Sequence, residues 1–160
     1  MDFRNLNWVS LKDNYPLPKM DHILQRVVRS QIMFVLDGFS GYNQIAVQLN
    51  DQEKTVFTTP WGTFMYAKMS FGLMNVGETF QPAMDIAFTE EKENVLVIYL
   101  DDITVFSKSD EEHMAHLMRV FKNCRRFGIS LNPKNSNFAM KEGKLLGHII
   151  SAEGIRIDPK

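Results

Sequence analysis

The stretch "VLVIYLDDITVF", residues 95–106, constrains the fold more than any other segment of the chain. Its flanks are apolar and β-branched, the composition of strands at the centre of a sheet. Asp101 and Asp102 interrupt it, and aspartate favours turns, so the stretch reads as strand, Asp-Asp turn, strand. Burying a carboxylate without a partner is strongly unfavourable. The pair is therefore either a turn in solvent or a pair waiting for a counter-charge. A second apolar strand, "IMFVLD" at 32–37, also ends in a carboxylate, Asp37. Three carboxylates at the ends of apolar strands suggest convergence on a common cation, since packed like charges repel. Oxygen ligands with no His or Cys nearby select Mg²⁺ or Mn²⁺. Two such ions about 3.5–4 Å apart would suit phosphoryl transfer.

The rest of the chain frames these strands. Its 160 residues are enough for one core and one domain. With 44% hydrophobic and 23% charged residues it has the balance of a soluble globular protein. No run of about 18 apolar residues exists, so no membrane span or membrane partner is expected. The opening "MDFRNLNWVS" lacks the basic flank and apolar core of a signal peptide. Cys124 is the single cysteine, which excludes an internal disulfide and a multi-cysteine zinc site. It suits a reducing compartment, and a cytoplasmic location is expected. A net charge of −1 is not that of a self-sufficient nucleic-acid binder.

Periodicity and caps place the other elements. "PLPKMDHILQRVVRSQ" reads as a helix opened by Pro18, with Met20, Ile23, Leu24, Val27 and Val28 on one face. "TVFTTPWGTFMYAKM" reads as a hairpin around Pro60, Trp61 and Gly62. "NVGETFQPAMDIAF" offers Asn75 as N-cap and Glu78 in the box position, with Pro82 expected to bend or split the helix near Glu78. "SDEEHMAHLMRVFKNCRRFG" is a helix capped by Ser109 and ended by Gly128, with Met114, Leu117, Phe121 and Cys124 as its buried stripe. His113 and His116 beside Glu112 read as a solvated helix face or, less simply, as a metal pair. "NPKNS" reads as a basic loop, and "GKLLGHIISAEGIRI" as a second hairpin. Together these give an α+β fold, a sheet with helices packed on one face.

Several motifs now line up with a known family. "YLDD" at 99–102 resembles the YxDD box of reverse transcriptases, with Tyr99 as its tyrosine and Leu100 at its variable position. "LDGFSGYNQI" resembles the first-aspartate motif, usually LDLxSGYxQI, and "TTPWGTFMYAKMSFGLMNVGETFQPAM" resembles the block that follows it. "LGHIISAEGI" resembles the primer-grip hairpin. Order and spacing match over essentially the whole chain, and the polymerases of gypsy-type LTR retrotransposons resemble it most. The resemblance implies a polymerase palm, a ferredoxin-like antiparallel sheet with helices on one face, plus part of the fingers. It implies a single domain fragment over 1–160, ending at the primer-grip hairpin, with thumb, RNase H and integrase elsewhere in a polyprotein and a retroelement particle as its setting.

The activity implied is RNA-directed DNA synthesis on an RNA or DNA template-primer from dNTPs. Asp37, Asp101 and Asp102 would be catalytic and would hold two Mg²⁺ ions, which Mn²⁺ could replace, with the Gly38 carbonyl as a further ligand. Tyr42 would block a ribose 2′-hydroxyl, unless it is an ordinary core aromatic. Phe71 and Gly72 would line the dNTP pocket, with Phe71 as plain core the rival reading. Leu146, Gly147 and His148 would steady the primer end, though a hairpin histidine is often mere surface. Lys134 would be a possible general acid. Arg4 and Asn7 match a finger-strand motif, and Arg4 would touch template phosphate or pair with an acid.

The chain also departs from the family. Ser70, Met74, Glu78 and Pro82 break the usual pattern, and "PKNSNF" lacks the usual cysteine. The alternative is a non-catalytic relic or domesticated domain that folds and binds nucleic acid without polymerising. The "DFRNLN" motif begins at residue 2, so the family's basic upstream fingers and its thumb fall outside these residues. Weak template-primer binding with a shallow salt slope, and little activity alone, are therefore expected.

Overall fold

Apolar residues at both parities decide the architecture, because a strand that is apolar on both sides must be covered on both sides. In a computed structural model describing residues 1–92 and 94–159, the opening stretch forms β4 (Leu96–Tyr99) and β5 (Asp102–Ser107). The two pair antiparallel across a turn of Leu100 and Asp101. β1 (Ile32–Gly38) pairs antiparallel with β5, and β6 (Leu131–Met140) pairs with β1, giving the sheet order β4-β5-β1-β6.

One face carries Phe34, Leu36, Leu96, Ile98, Ile103 and Val105. These pack on Phe80, Met84 and Ala87 of α4 (Val76–Ala87) and on Leu117, Val120 and Cys124 of α5 (Asp110–Phe127). The other face carries Met33 and Val97, which meet Ile23, Leu24 and Val27 of α2 (Met20–Val27). Leu145 and Ile150 join them from a meander of β7 (Glu142–Leu145), β8 (His148–Ser151) and β9 (Gly154–Ile157). Helices on one face is thus only half of the arrangement. α4 and α5 cover that face, and α2 with the meander covers the opposite one.

The smaller elements are α1 (Arg4–Val9), a 3₁₀ turn at Gly41–Gln44, α3 (Leu49–Gln52) and the hairpin of β2 (Phe57–Thr59) and β3 (Gly62–Phe64). Among the described residues no helix is long and apolar enough to cross a membrane.

Several local expectations change. α2 begins after Lys19 rather than at Pro18, and Met20 faces outward. α1 is a helix, not a finger strand. The "NPKNS" segment is part of β6, not a loop, and the C-terminal hairpin has a third strand. α5 is capped as expected: the Ser109 hydroxyl accepts from the Glu112 N–H, and Gly128 takes φ +67°. Its buried stripe, however, is His113, Leu117, Val120 and Cys124, with Met114 exposed.

His113 and His116 are therefore not one solvated face. His113 is 1% exposed, its ring lies 4.3 Å from that of Phe34, and both Nδ1 atoms reach the Ser107 hydroxyl, at 2.8 and 2.7 Å. A polar partner at the end of β5 makes the burial tolerable. Burial, and then the neighbouring His116, push the His113 pKa down. The Cys124 thiol is pushed by burial up to about 11, as for an inert core cysteine.

Asn75 flanks α4, but its side chain does not cap it. It accepts from the Asp13 N–H and donates to the Leu11 carbonyl, tying down the N-terminal segment instead. Pro82 does not split α4, which runs on to Ala87 because Phe80, Met84 and Ala87 anchor both sides of it in the core. Pro82 still lacks the N–H that would bond the Glu78 carbonyl. Pro82→Ala is expected to stabilise the chain by about 1–3 kcal/mol. Chemical denaturation of both forms checks this, and no gain would show that packing of the ring offsets the missing bond.

Candidate active site

The pairing of β1 with β5 sets Asp37 directly opposite Asp102. Cross-strand partners share a face. Leu36 and Ile103, the adjacent pair, point into the core under α4 and α5, so Asp37 and Asp102 project from the other face. Asp101 lies in the turn beside them. Its carbonyl accepts from the Gly38 N–H at 3.2 Å, and its side chain lies against the backbone of Gly41.

Asp102 feels the other two carboxylates. Asp102 faces solvent over much of its surface, yet its pKa is raised. Burial of the carboxyl at the base of the turn is the first cause, and the charges of Asp101 and then Asp37 follow. Among the described residues no three His, Cys, Asp or Glu side chains are gathered into a preformed cation site. The donor chemistry nevertheless fits Mg²⁺ or Mn²⁺: the groups are hard oxygens, and they repel one another without a counter-charge.

The turn is held from below. Leu100 has φ +54°, a left-handed conformation that is costly for a side-chain-bearing residue. Its N–H donates to Gln81 Oε1 at 3.1 Å, and Gln81 is fully buried in α4. Gln81 in turn donates to Asp85, which also accepts from the Tyr15 hydroxyl and pairs with Lys92 at 2.6 Å. Gly77 matters here, because a Cβ at that position would lie only 3.2 Å from the Leu100 side chain. Tyr99 and Leu146 both pack against the second core.

Tyr42 stands next to the carboxylates. Its ring meets Phe71 at 5.1 Å and Phe80 at 5.4 Å, both edge-on. Its pKa is raised by burial first, then by hydrogen bonding to Asp101, then by the charges of Asp101, Asp102 and Glu78. It is therefore a packing aromatic and a neighbour of the acids at once. Phe71 is 55% exposed, so it is not core. Gly72, at φ +94°, offers its carbonyl to Asn7 Nδ2 at 2.7 Å, and Asn7 Oδ1 accepts from the Met74 N–H. Asn7 thus ties this loop to α1.

The remaining expected residues spread outward. Leu146 and Gly147 form the β7–β8 turn at φ +51° and +75°, and His148 Nδ1 donates to the Leu146 carbonyl at 2.9 Å. Lys134 is exposed on β6, in the segment that closes over Asp37. Arg4 pairs with Asp2 at 2.6 Å, the acid-pairing alternative, with its side chain almost fully in solvent.

Sequence reasoning missed the residues that hold the others: Gln81, Asn132, Asn135 and Ser136. Asp37 Oδ2 accepts from Asn132 Nδ2 at 3.1 Å and Asn135 Nδ2 at 3.0 Å, and the Asp37 N–H donates to the Ser136 hydroxyl. The unusual "PKNSNF" was the one available signal.

The sequence family described as reverse transcriptase (RNA-dependent DNA polymerase) matches residues 1–150. The chain is 35% identical over 159 residues to the retrovirus-related Pol polyprotein from transposon 297 of Drosophila melanogaster, covering 99% of this chain and 15% of that protein. It is 32% identical over 154 residues to the transposon Tf2-3 polyprotein of Schizosaccharomyces pombe, covering 96% of this chain and 12% of that one. It therefore spans only a small part of the relatives it matches. Its fold is similar to that of the foamy viral protease-reverse transcriptase in complex with RNA/DNA hybrid. The TM-score is 0.87 at 22% identity, over 98% of this chain and 21% of that one. A second foamy viral structure, in complex with double-stranded DNA, gives 0.88 at 22% identity, over 98% of this chain and 27% of that one.

The raised pKa of Asp102 has a definite sign in stability. A carboxyl whose folded pKa is raised contributes stability that is fully present below its ordinary value, near 3.8, and is lost as pH rises through the folded value. Asp102→Asn is thus expected to raise the metal-free thermal midpoint at pH 7, with the gain vanishing toward pH 3. Equal midpoints at pH 7 would show that the repulsion is fully screened by solvent.

Proposed function

Because the chain belongs to the reverse transcriptase family, we propose that its residues form the palm-side catalytic part of an RNA-directed DNA polymerase. The observation that carries this reading is the register that sets Asp37 against Asp102, with Asp101 in the adjoining turn and Tyr42 against it. Asp37, Asp101, Asp102 and the Gly38 carbonyl would hold two Mg²⁺ ions, or Mn²⁺ in their place. Bound there, the metal supplies the positive charge that activates a primer 3′-hydroxyl and steadies a departing pyrophosphate.

The chain's own residues do the positioning, which dominates phosphoryl-type transfer. The Gln81 strap keeps the strained Leu100 turn, and with it Asp101, from relaxing. The Tyr42 ring, wedged between Phe71 and Phe80, closes the space where a ribose 2′-hydroxyl would sit. Phe71, exposed on the loop that Asn7 holds, offers an apolar surface to an incoming dNTP. The Leu146–Gly147 turn, packed through Leu146 on the same cluster as Tyr99, would bring the primer end to the turn that carries the aspartates. Lys134 is exposed near Asp37 as a candidate proton donor. Template-primer and dNTPs are the proposed partners, within a polyprotein of a retroelement particle in the cytoplasm.

Substitutions at two positions test the reading in a full-length polymerase that contains this chain. Asp101→Asn removes one charge from a repelling set and should abolish primer extension without lowering metal-free thermal stability. Retained extension would sink the assignment. Tyr42→Ala should raise the ratio of rNTP to dNTP incorporation, whereas Tyr42→Phe, which keeps the ring, should not. An unchanged ratio in Tyr42→Ala would leave Tyr42 as a packing residue alone.

A further inference from the structure

Asp37 is held by a device that the polymerase reading does not require. Between the pairs Val35↔Asn137 and Asp37↔Asn132, β1 advances two residues while β6 advances five. The surplus chain, residues 133–136, bulges out of the ladder beside Asp37. Bulges of this kind re-aim side chains next to active sites.

The bulge is closed by side chains in place of ladder bonds. The Ser136 hydroxyl accepts from the Asp37 N–H at 3.3 Å and donates to the Asn132 carbonyl at 2.7 Å. Asn132 Oδ1 accepts from the Lys134 N–H at 3.2 Å, which fixes the orientation of that amide. Its Nδ2 is then left to donate to Asp37 Oδ2 at 3.1 Å, and Asn135 Nδ2 donates to the same oxygen at 3.0 Å. A carboxylate oxygen has two lone pairs, so the two amides saturate Oδ2. Oδ1 is the oxygen left for another ligand.

We propose that Asn132 and Asn135 are positioning residues that clamp Asp37 through Oδ2 and present Oδ1 alone to a divalent cation. This rests on the reading of Asp37 as a metal ligand. Both donors are neutral, so they orient the carboxylate without cancelling its charge. A carboxylate whose rotamer is already fixed loses less freedom when the ion binds. Partners of this kind behind metal ligands are worth roughly 10–100-fold in metal affinity. The opposite relation is also physically possible: amides that compete with the ion for Asp37 would weaken binding, and their removal would tighten it.

Mn²⁺ alone, titrated into the 160-residue chain and followed by its electron paramagnetic resonance signal, separates these. The Asn135 side chain, among the described residues, bonds only Asp37, so Asn135→Ala should weaken Mn²⁺ binding roughly 10–100-fold with little change in metal-free thermal midpoint. Asn135→Gln, which keeps an amide donor, should recover much of the loss. Asn132→Ala should weaken binding at least as much, and Asn135→Ala decides the matter if that variant fails to fold. Binding in Asn135→Ala as tight as in the parent, or tighter, overturns the clamp. Asp37→Asn is the control that tells the two ideas apart. If it weakens Mn²⁺ binding and Asn135→Ala does not, the clamp alone falls. If the parent binds no Mn²⁺, or Asp37→Asn leaves binding unchanged, the metal reading of Asp37 falls and the clamp with it.

Discussion

The antiparallel register of β1 on β5 is the constraint on which the rest depends. It places Leu36 against Ile103 and, one step along, Asp37 against Asp102. Because side chains alternate across a sheet, a slip of one residue would exchange the faces of every pair. Asp37 would then point into the core beneath α4 and α5, and Leu36 would point away from it. Leu36 and Ile103 are fully buried on one side, while Met33 and Val97 are buried on the other. Both cores therefore resist the slip, and the energy that fixes the acidic pair is apolar packing rather than any bond the acids make themselves.

Beyond the pairing of β1 with β5, other elements steady the turn and two of the three acids. α4 reaches the turn through Gln81, whose burial and bond to Asp85 leave it one orientation. That bond restrains Leu100 in its left-handed conformation. β6 reaches Asp37 through its bulge. The 3₁₀ turn reaches Asp101 through Tyr42, and Gln44 of the same turn bonds both the N–H and the carbonyl of Ser130 just before β6. The site is thus a meeting of edges, in which α4, β6 and the 3₁₀ turn each reach one group.

The strands and the long helix were legible because their signals are local. β1, β4 and β5 are runs of apolar, β-branched residues, and α5 carries its own cap at Ser109 and its own stop at Gly128. The three aspartates were legible as carboxylates ending such runs. β6 was not, because Asn, Pro, Lys and Ser are poor strand formers, and only the pairing of the residues on either side of them with β1 carries the strand through. His113 was not, because its partner Ser107 lies on another element and nothing in the helix pattern announces it. Nor were Gln81, Asn132 and Asn135 legible as supports. An amide in a sequence carries no hint of which distant group it will bond. α2 and the meander covering the second face were hidden for the same reason: whether a sheet is covered on one side or two is settled by long-range packing.

The chemistry of those supports has a consequence for charge. No ion pair among the described residues reaches Asp37, Asp101 or Asp102. The groups that hold the turn and Asp37 are amides and a hydroxyl, from Gln81, Asn132, Asn135 and Ser136. A lysine or arginine in place of Asn132 or Asn135 could also donate to Asp37, but it would neutralise the cluster and compete with a cation. Neutral donors fix direction and leave the negative charge standing. Burial first, and then the standing charges of Asp101 and Asp37, raise the pKa of Asp102. A divalent ion at these carboxylates would turn the same repulsion into attraction, so a scaffold built from neutral donors gives up stability in the metal-free chain and keeps its electrostatic field for the ion.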